Sequence, residues 1–434
     1  MVRETNPPLF YSALHLWLML VDPTIVSLRL LPILGGAIEL ALLAAISRRC
    51  FGWTAAIACV SIAGISAQTL YYSEFLRSYI FVTDAVLVSL LGLLIVLGGR
   101  KRRLSGLALY AAGAVAAGYL HTTLLLWPFI ATAAAVCACR NALAANGFRL
   151  LRDLAAADGA ILLCLSWWVV ISLRQIGANS ENIDWIAPRS LVEFSMMVAE
   201  SAFAVSVTSV ADFACLAVVL AVFSVSVIKG RHAPAVRLLF AILALGLGTF
   251  KLADLVHPIT TPATLFWLSV FPLILIPSLL AAGNSGRWRW LAIAAVVVAL
   301  AANLFHTGNS FEWEKWDKAF DTMVETPGST LLVEQEAMGV VAGKACRFHF
   351  RSLHCPIPVL TLVSTATGNR WAHGLGPIDY VDAAAIGRLP PSTRLFTIRL
   401  NSYDPLVTLG KVPASRRPSW VVPFFEGPFA PSDL

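Results

Sequence analysis

The stretch YYSEFLRSYIFVTDAVL holds Glu74, Arg77, Tyr79 and Asp84 beside a long apolar run. A carboxylate there can take a proton from a hydroxyl, and a guanidinium can neutralise a phosphate. Charge near hydrocarbon is costly, so residues of this kind mark a working site rather than a greasy wall. Asp84 lies about two turns into the run by the helical rise, where an intramembrane carboxylate is expected to face the bundle interior. Further candidates recur along the chain: Arg29 at the start of one apolar run, Tyr119 and His121 in GYLHTTLLLWP, and Lys251, Asp254 and His257 near another run's end. Glu39 in LPILGGAIELALL is deeper in its run and reads as a paired structural carboxylate.

The elements that must position these residues are membrane spans. The chain has 434 residues, 58% hydrophobic and only 13% charged. Soluble domains carry roughly 25% charged residues, so the composition predicts an integral membrane protein. Spans of about 20 apolar residues are expected near 27–47, 53–71, 77–98, 104–120, 122–139, 156–174, 207–228, 235–253, 262–282 and 288–305. Segment 9–21 is too short to cross and, with Trp17 as an anchor, suits a helix lying at the interface.

Basic residues alternate between the connections. One set holds Arg48, Arg49, Arg100, Lys101, Arg102, Arg103, Arg140, Arg149, Arg152, Lys229, Arg231, Arg237, Arg287 and Arg289; the other holds only Arg77, Arg174, Arg189 and Lys251. The positive-inside rule places the first set in the cytoplasm. Glu74, Arg77, His121, Asp184, Glu193, Glu200, Lys251, Asp254 and His257 then gather at the extracytoplasmic face. The net charge of +7 lies in these short clusters and not on one face, which argues against nucleic acid as a partner.

From about residue 306 the chain turns polar, with β-like runs STLLVEQ, CRFHF and TRLFTIRL and an irregular Pro-rich end from Pro413. A small extracytoplasmic α/β domain over 306–434 is expected, after a transmembrane domain over 1–305. Cys346 and Cys355 lie in this polar part and can pair outside the cytosol. Cys50, Cys59, Cys137, Cys139, Cys164 and Cys215 fall in or beside apolar runs and read as small buried hydrophobes. Residues 1–6 are polar and no A-x-A-like site follows, so no cleavable signal peptide is expected.

Three motifs in order carry a resemblance. They are Asn6-Pro7-Pro8-Leu9-Phe10-Tyr11 before the short helix, Ser27-Leu28-Arg29-Leu30-Leu31-Pro32 entering the next span, and Ser73-Glu74-Phe75-Leu76-Arg77-Ser78-Tyr79 after one more hairpin. The pattern resembles the polytopic GT-C glycosyltransferases that use polyprenyl-phosphate sugars: galacturonosyltransferases of lipopolysaccharide core, aminoarabinose transferases of lipid A and protein O-mannosyltransferases. The resemblance is clearest over 6–130 and fades to hydropathy alone after about 150.

What it implies is a bacterial inner-membrane enzyme of the cell envelope. Such an enzyme moves a sugar from a polyprenyl-phosphate donor to a hydroxyl on an extracytoplasmic acceptor (glycolipid, polysaccharide or protein) with inversion. Phosphate is a good leaving group that needs charge neutralisation, while the acceptor hydroxyl needs a base. On this reading Glu74 and Asp84 are the catalytic carboxylates. Arg77, Tyr79, Arg29, Asn6 and Lys251 shape the donor-phosphate side, and His121 and His257 line the cavity. No cofactor is required; a divalent cation is compatible, though no ligand set calls for one.

The chain also departs from the family. Its relatives carry a first span and an acidic outer loop ahead of the Pro-Pro motif, and these are absent before Asn6. Glu4 is acidic but does not match in position. Either a segment precedes Met1 or the chain is an inactive scaffold. Asn6 stands where the family has His or Lys.

Plainer readings stand beside these. Glu74 and Arg77 could form a surface ion pair along one helix, Arg29 could snorkel, and His121 could simply join two helices. Trp167 and Trp168 suit an aromatic belt. The rival function is a lipid or solute transporter whose buried charges line a path.

Overall fold

The computed structural model describes residues 7–22, 24–99, 103–138, 148–178, 189–205, 207, 209–281, 286–308, 316–334, 336–350, 354–362, 379–399, 405–411 and 424–433. It divides into two compact units, Met1–Ser310 and Phe311–Leu434. Asn6, Glu4, Asp184 and residues 413–423 lie outside the described residues, while the end expected to be irregular holds a strand at Phe424–Phe429, paired with a neighbouring strand.

The first unit is helical. Its described elements are α1 (Pro8–Leu18), α2 (Ile25–Phe51), α3 (Trp53–Gly64), α4 (Ala67–Glu74), α5 (Tyr79–Leu97), α6 (Arg103–Leu120) and α7 (Trp127–Ala138). There follow α8 (Phe148–Ala178), α9 (Leu191–Phe203), α10 (Val210–Gly230), α11 (Pro234–Val256), α12 (Pro262–Ala281, alternating α and 3-10 turns) and α13 (Arg287–Gly308). Seven helices are long and apolar enough to cross a membrane, and an eighth crossing arises if α3 and α4 count as one span bent by 66°. The protein is therefore a polytopic membrane protein.

The ten expected spans fare unevenly. The span expected at 53–71 is broken, because Ser66 starts a new helix by accepting a bond from the Thr69 amide. The segment at 122–139 begins with a 3-10 turn capped by His121 and continues as α7, giving an apolar helix shorter than the other spans. α1 has 11 residues and buries only Phe10, leaving Leu16, Met19 and Leu20 exposed.

Two local features matter for the site. α5 and α6 pack backbone to backbone: a Cβ on Gly92 would lie 2.3 Å from the Tyr110 nitrogen, and one on Gly113 2.5 Å from the Ser89 nitrogen. Small residues allow such an approach where lipid offers no hydrophobic drive. Ser89 then bridges the pair, donating to the Tyr110 carbonyl at 2.9 Å and accepting from the Trp127 indole at 2.8 Å. Gly36 of α2 does the same for α4, since a Cβ there would meet the Ser73 Cβ at 2.7 Å.

Contacts also fix which helix ends lie together. The Arg49 guanidinium reaches the Leu94 carbonyl at 3.4 Å, so α2 and α5 finish at the same end of the unit. The Tyr79 and His121 rings, 6.1 Å apart, bring the start of α5 and the end of α6 together at the other.

Not every cysteine in the apolar runs is buried. Cys59 is, but Cys137 and Cys164 are exposed on their helices, a position that hydrocarbon tolerates for a small thiol. Trp168 does not sit in a belt: it is 3% exposed and donates to the Thr122 hydroxyl at 3.3 Å, while Trp167 is exposed.

The second unit holds a five-stranded sheet in the order β3-β2-β1-β4-β5. Its strands are β1 (Ser329–Glu334), β2 (Val359–Leu362), β3 (Asp379–Val381), β4 (Arg394–Arg399) and β5 (Phe424–Phe429). The first four are parallel and β5 is antiparallel to β4. Parallel neighbours need a crossover, and α15 (Glu336–His349), which follows α14 (Trp316–Glu325), supplies it between β1 and β2. CRFHF, expected as a strand, is the end of α15 and the residue after it. Its Cys346 belongs to a stripe with buried Ala342, a helical spacing that overrides the local alternation. A disulfide joins Cys346 to Cys355, with Cα atoms 5.4 Å apart.

Candidate functional site at the Tyr72–Tyr79 rim

The break between α4 and α5 builds the site. α4 ends at Glu74, Phe75 turns extended (φ −82°, ψ 117°), and α5 restarts at Tyr79. Glu74 and Arg77 are therefore not on one helix face, and among the described residues no ion pair joins them. The exposed Arg77 guanidinium donates instead to the Tyr11 hydroxyl of α1 at 3.3 Å. The Tyr79 phenol lies within electrostatic reach of both Arg77 and Tyr11. Phe10 fixes α1 here by packing on Phe81, ring centroids 5.8 Å apart.

Tyr72 is the hub of an aromatic wall. Its ring is 4.1 Å from Phe266 of α12, 5.4 Å from Tyr79 and 6.5 Å from Phe75, and Phe75 stacks on Tyr79 at 6.0 Å. His121 extends the wall beyond Tyr79. Its Nδ1 lies 2.8 Å from the Thr123 hydroxyl and 3.4 Å from the Thr123 amide, and burial pushes the imidazole down from 6.5 to about 4.

Glu200, which the sequence placed at the extracytoplasmic face without a role, joins this wall from α9. Ser190 and Glu193 cap the helix reciprocally and set its register. That register buries Phe194, Met197 and Ser201 and leaves Glu200 half-buried at their edge, within electrostatic reach of the Tyr72 phenol. One Glu200 oxygen accepts from the Val207 amide at 3.2 Å. The other has no partner among the described residues. The signal in the sequence was a second acidic residue, after the capping Glu193, inside the largely apolar LVEFSMMVAESAF.

Other expected residues stand apart. Asp84 is 8% exposed between α2 and α5, close to Glu39, and neither of its oxygens has a hydrogen-bond partner among the described residues. Glu39 Oε2 lies 2.7 Å from the Thr83 hydroxyl, which is also 2.6 Å from the Ile80 carbonyl. Arg29 is exposed near the start of α2.

Lys251 and His257 occupy a second patch, on the end of α11. The Lys251 ammonium lies over the Phe194 ring of α9 at 4.8 Å and makes no ion pair among the described residues. His257 caps α11 and sits 3.2 Å from the Pro258 carbonyl through Nδ1. Asp254 holds the turn that follows, accepting from the Ile259 and Thr260 amides at 2.9 and 3.0 Å. Among the described residues no group of three or more His, Cys, Asp or Glu could hold a metal ion.

No family model and no curated protein matches the sequence. The fold does match solved structures. ArnT from Cupriavidus metallidurans bound to undecaprenyl phosphate aligns with a TM-score of 0.59 and 13% identity, over 94% of this chain and 85% of that one. The apo form of the same protein aligns at 0.54 and 12%, over 91% and 82%. The fold of this chain is thus that of ArnT.

Proposed function

We propose that the protein transfers a sugar from a polyprenyl-phosphate carrier to an acceptor hydroxyl at the extracytoplasmic face of a bacterial inner membrane. The bond from sugar C1 to the phosphate oxygen breaks, and a bond from C1 to the acceptor oxygen forms with inversion. The phosphate leaves on its lipid, and a carboxylate takes the acceptor's proton. Glycolipid, polysaccharide and protein are all acceptors of this chemical class.

One observation carries the reading: Arg77 is an exposed cation, steadied by Tyr11 and with no carboxylate partner among the described residues, at a rim walled by tyrosines. An unneutralised guanidinium at a span's end matches a lipid phosphate in charge and depth. ArnT, whose fold this chain shares, has been crystallised with undecaprenyl phosphate. Tyr79 adds a phenol on the phosphate side and Lys251 a second cation, with Arg29 and Asn6 as the remaining donor-side assignments. His121 and His257 line the acceptor side. Of the carboxylates chosen from the sequence, Glu74 lies at the rim and Asp84 deeper. Arg77 supplies the positive charge in this reading; a divalent cation would add to it, which a chelated assay tests directly.

The test is binding of undecaprenyl phosphate to the purified chain in detergent, followed by native mass spectrometry. Wild type should retain the lipid and Arg77→Ala should lose it. No retention by wild type would remove the proposal.

The buried Glu39–Thr83–Asp84 group favours a second reading, proton-coupled transport. Uptake of solute by liposomes, abolished by Asp84→Asn while lipid binding is absent, is the outcome that would favour it.

A further inference from the structure

We infer that Glu200 is the proton acceptor for the incoming hydroxyl, an inference that rests on the transfer reading above and names a residue of the same site. Three geometric facts converge on it. α9 packs against α12, whose Phe266 lies on Tyr72, so Glu200 and the Arg77 loop flank one aromatic wall from different helices. The carboxyl is tethered through one oxygen by the Val207 amide, and the second oxygen has no hydrogen-bond partner among the described residues. That is the disposition a base needs, with its position fixed and one lone pair free for a substrate proton. Ala204, in the left-handed conformation at φ 57°, ends α9 and turns the chain so that the Val207 amide can return to Glu200.

Competing carboxyls are less well placed. Asp84 faces Glu39 within the α2–α5 interface. Glu74 is on α4 itself, the element that leads directly into the Arg77 loop, so it sits on the phosphate side. In an inverting displacement the acceptor oxygen attacks C1 from the side opposite the leaving phosphate, so its base belongs on that side, and α9 is a separate element that offers one. Burial also pushes the Glu200 carboxyl up, partly offset by the Val207 amide, which brings it closer to the range where a base works near neutral pH.

In the step assigned here the acceptor O–H bond breaks and its proton passes to Glu200. The oxygen's electron pair forms the bond to C1, and the C1–O bond electrons leave with the phosphate. No oxidant, reductant or further reactant is needed.

The experiment compares wild type, Glu200→Gln, Glu200→Asp, Glu74→Gln and Arg77→Ala as full chains. The probes are undecaprenyl phosphate for binding and undecaprenyl-phosphate-linked aminoarabinose, galacturonate and mannose for donor consumption. Glu200→Gln should bind undecaprenyl phosphate as wild type does while its kcat falls about 100-fold or more, with partial rescue by Glu200→Asp. The acid limb of the wild-type pH–kcat profile should vanish in Glu200→Gln. A wild type that turns over a donor alongside an equally fast Glu200→Gln would overturn this assignment and leave the transfer reading standing. A wild type that neither binds the lipid nor consumes any of the three donors overturns both.

Discussion

The guanidinium of Arg77 donates to the phenol of Tyr11 across 66 residues of sequence, at 3.3 Å. This contact ties the short helix α1 to the loop between α4 and α5, and it holds a cation that no carboxylate among the described residues neutralises. Arg77→Ala should weaken retention of undecaprenyl phosphate by about tenfold or more, since charge-assisted bonds to phosphate are worth about 1.5–3 kcal/mol. Tyr11→Phe should weaken it less, because the charge remains. Titration of each variant with the lipid would rank them, and an unaltered Arg77→Ala would count against the site.

His121 gives the molecule a pH dependence whose sign is fixed. Its imidazole is pushed down from 6.5 to about 4 in the fold, so between those values the unfolded chain binds a proton that the folded chain refuses. Stability rises with pH wherever the unfolded state holds more protons. The contribution of His121 should be fully present above about pH 6.5 and fade towards pH 4. Thermal unfolding of wild type and His121→Gln across this window should show a shallower slope in the variant.

The α5–α6 contact tolerates no side chain at two places. Gly92→Ala and Gly113→Ala each put a Cβ within 2.5 Å or less of opposing backbone. Because backbone cannot yield as a flexible side chain does, each should separate the helices and cost about 1–3 kcal/mol, seen as a lower Tm in detergent. Gly159→Ala, with open space around it, is the matched control.

Reduction of the Cys346–Cys355 bridge should destabilise the second unit. The cysteines are 9 residues apart. Loop-closure entropy for so short a loop amounts to about 2–3 kcal/mol. Limited proteolysis with and without reductant would measure it. Alkylation of both thiols in freshly lysed cells, without reductant, would show a reducing location and contradict the extracytoplasmic placement.

The transport alternative and the transfer reading separate at Asp84. If its role is structural, Asp84→Asn should lower Tm while leaving the kcat of the surviving protein within about threefold, because an amide can keep most of the local packing. A loss of turnover comparable to that of Glu200→Gln would return Asp84 to the catalytic set.

The sequence by itself determined the membrane class and most span positions, and it singled out the SEFLRSY stretch. Apolar length and charge depletion are additive along the chain, so a reader can sum them without knowing the neighbours. The strands STLLVEQ and TRLFTIRL were legible for the same reason, whereas CRFHF misled because Cys346 alternates locally yet packs with Ala342 across helical turns. Only the tertiary structure decided that Glu74 and Arg77 do not pair, since this depends on the helix stopping at Phe75. It alone brought Tyr11 into contact with Arg77 and Glu200 within electrostatic reach of Tyr72, from elements far apart in the chain. Periodicity reports which face of a helix is apolar, but the partner of that face is set by packing of the whole bundle, and a site made at such a junction has no local signature.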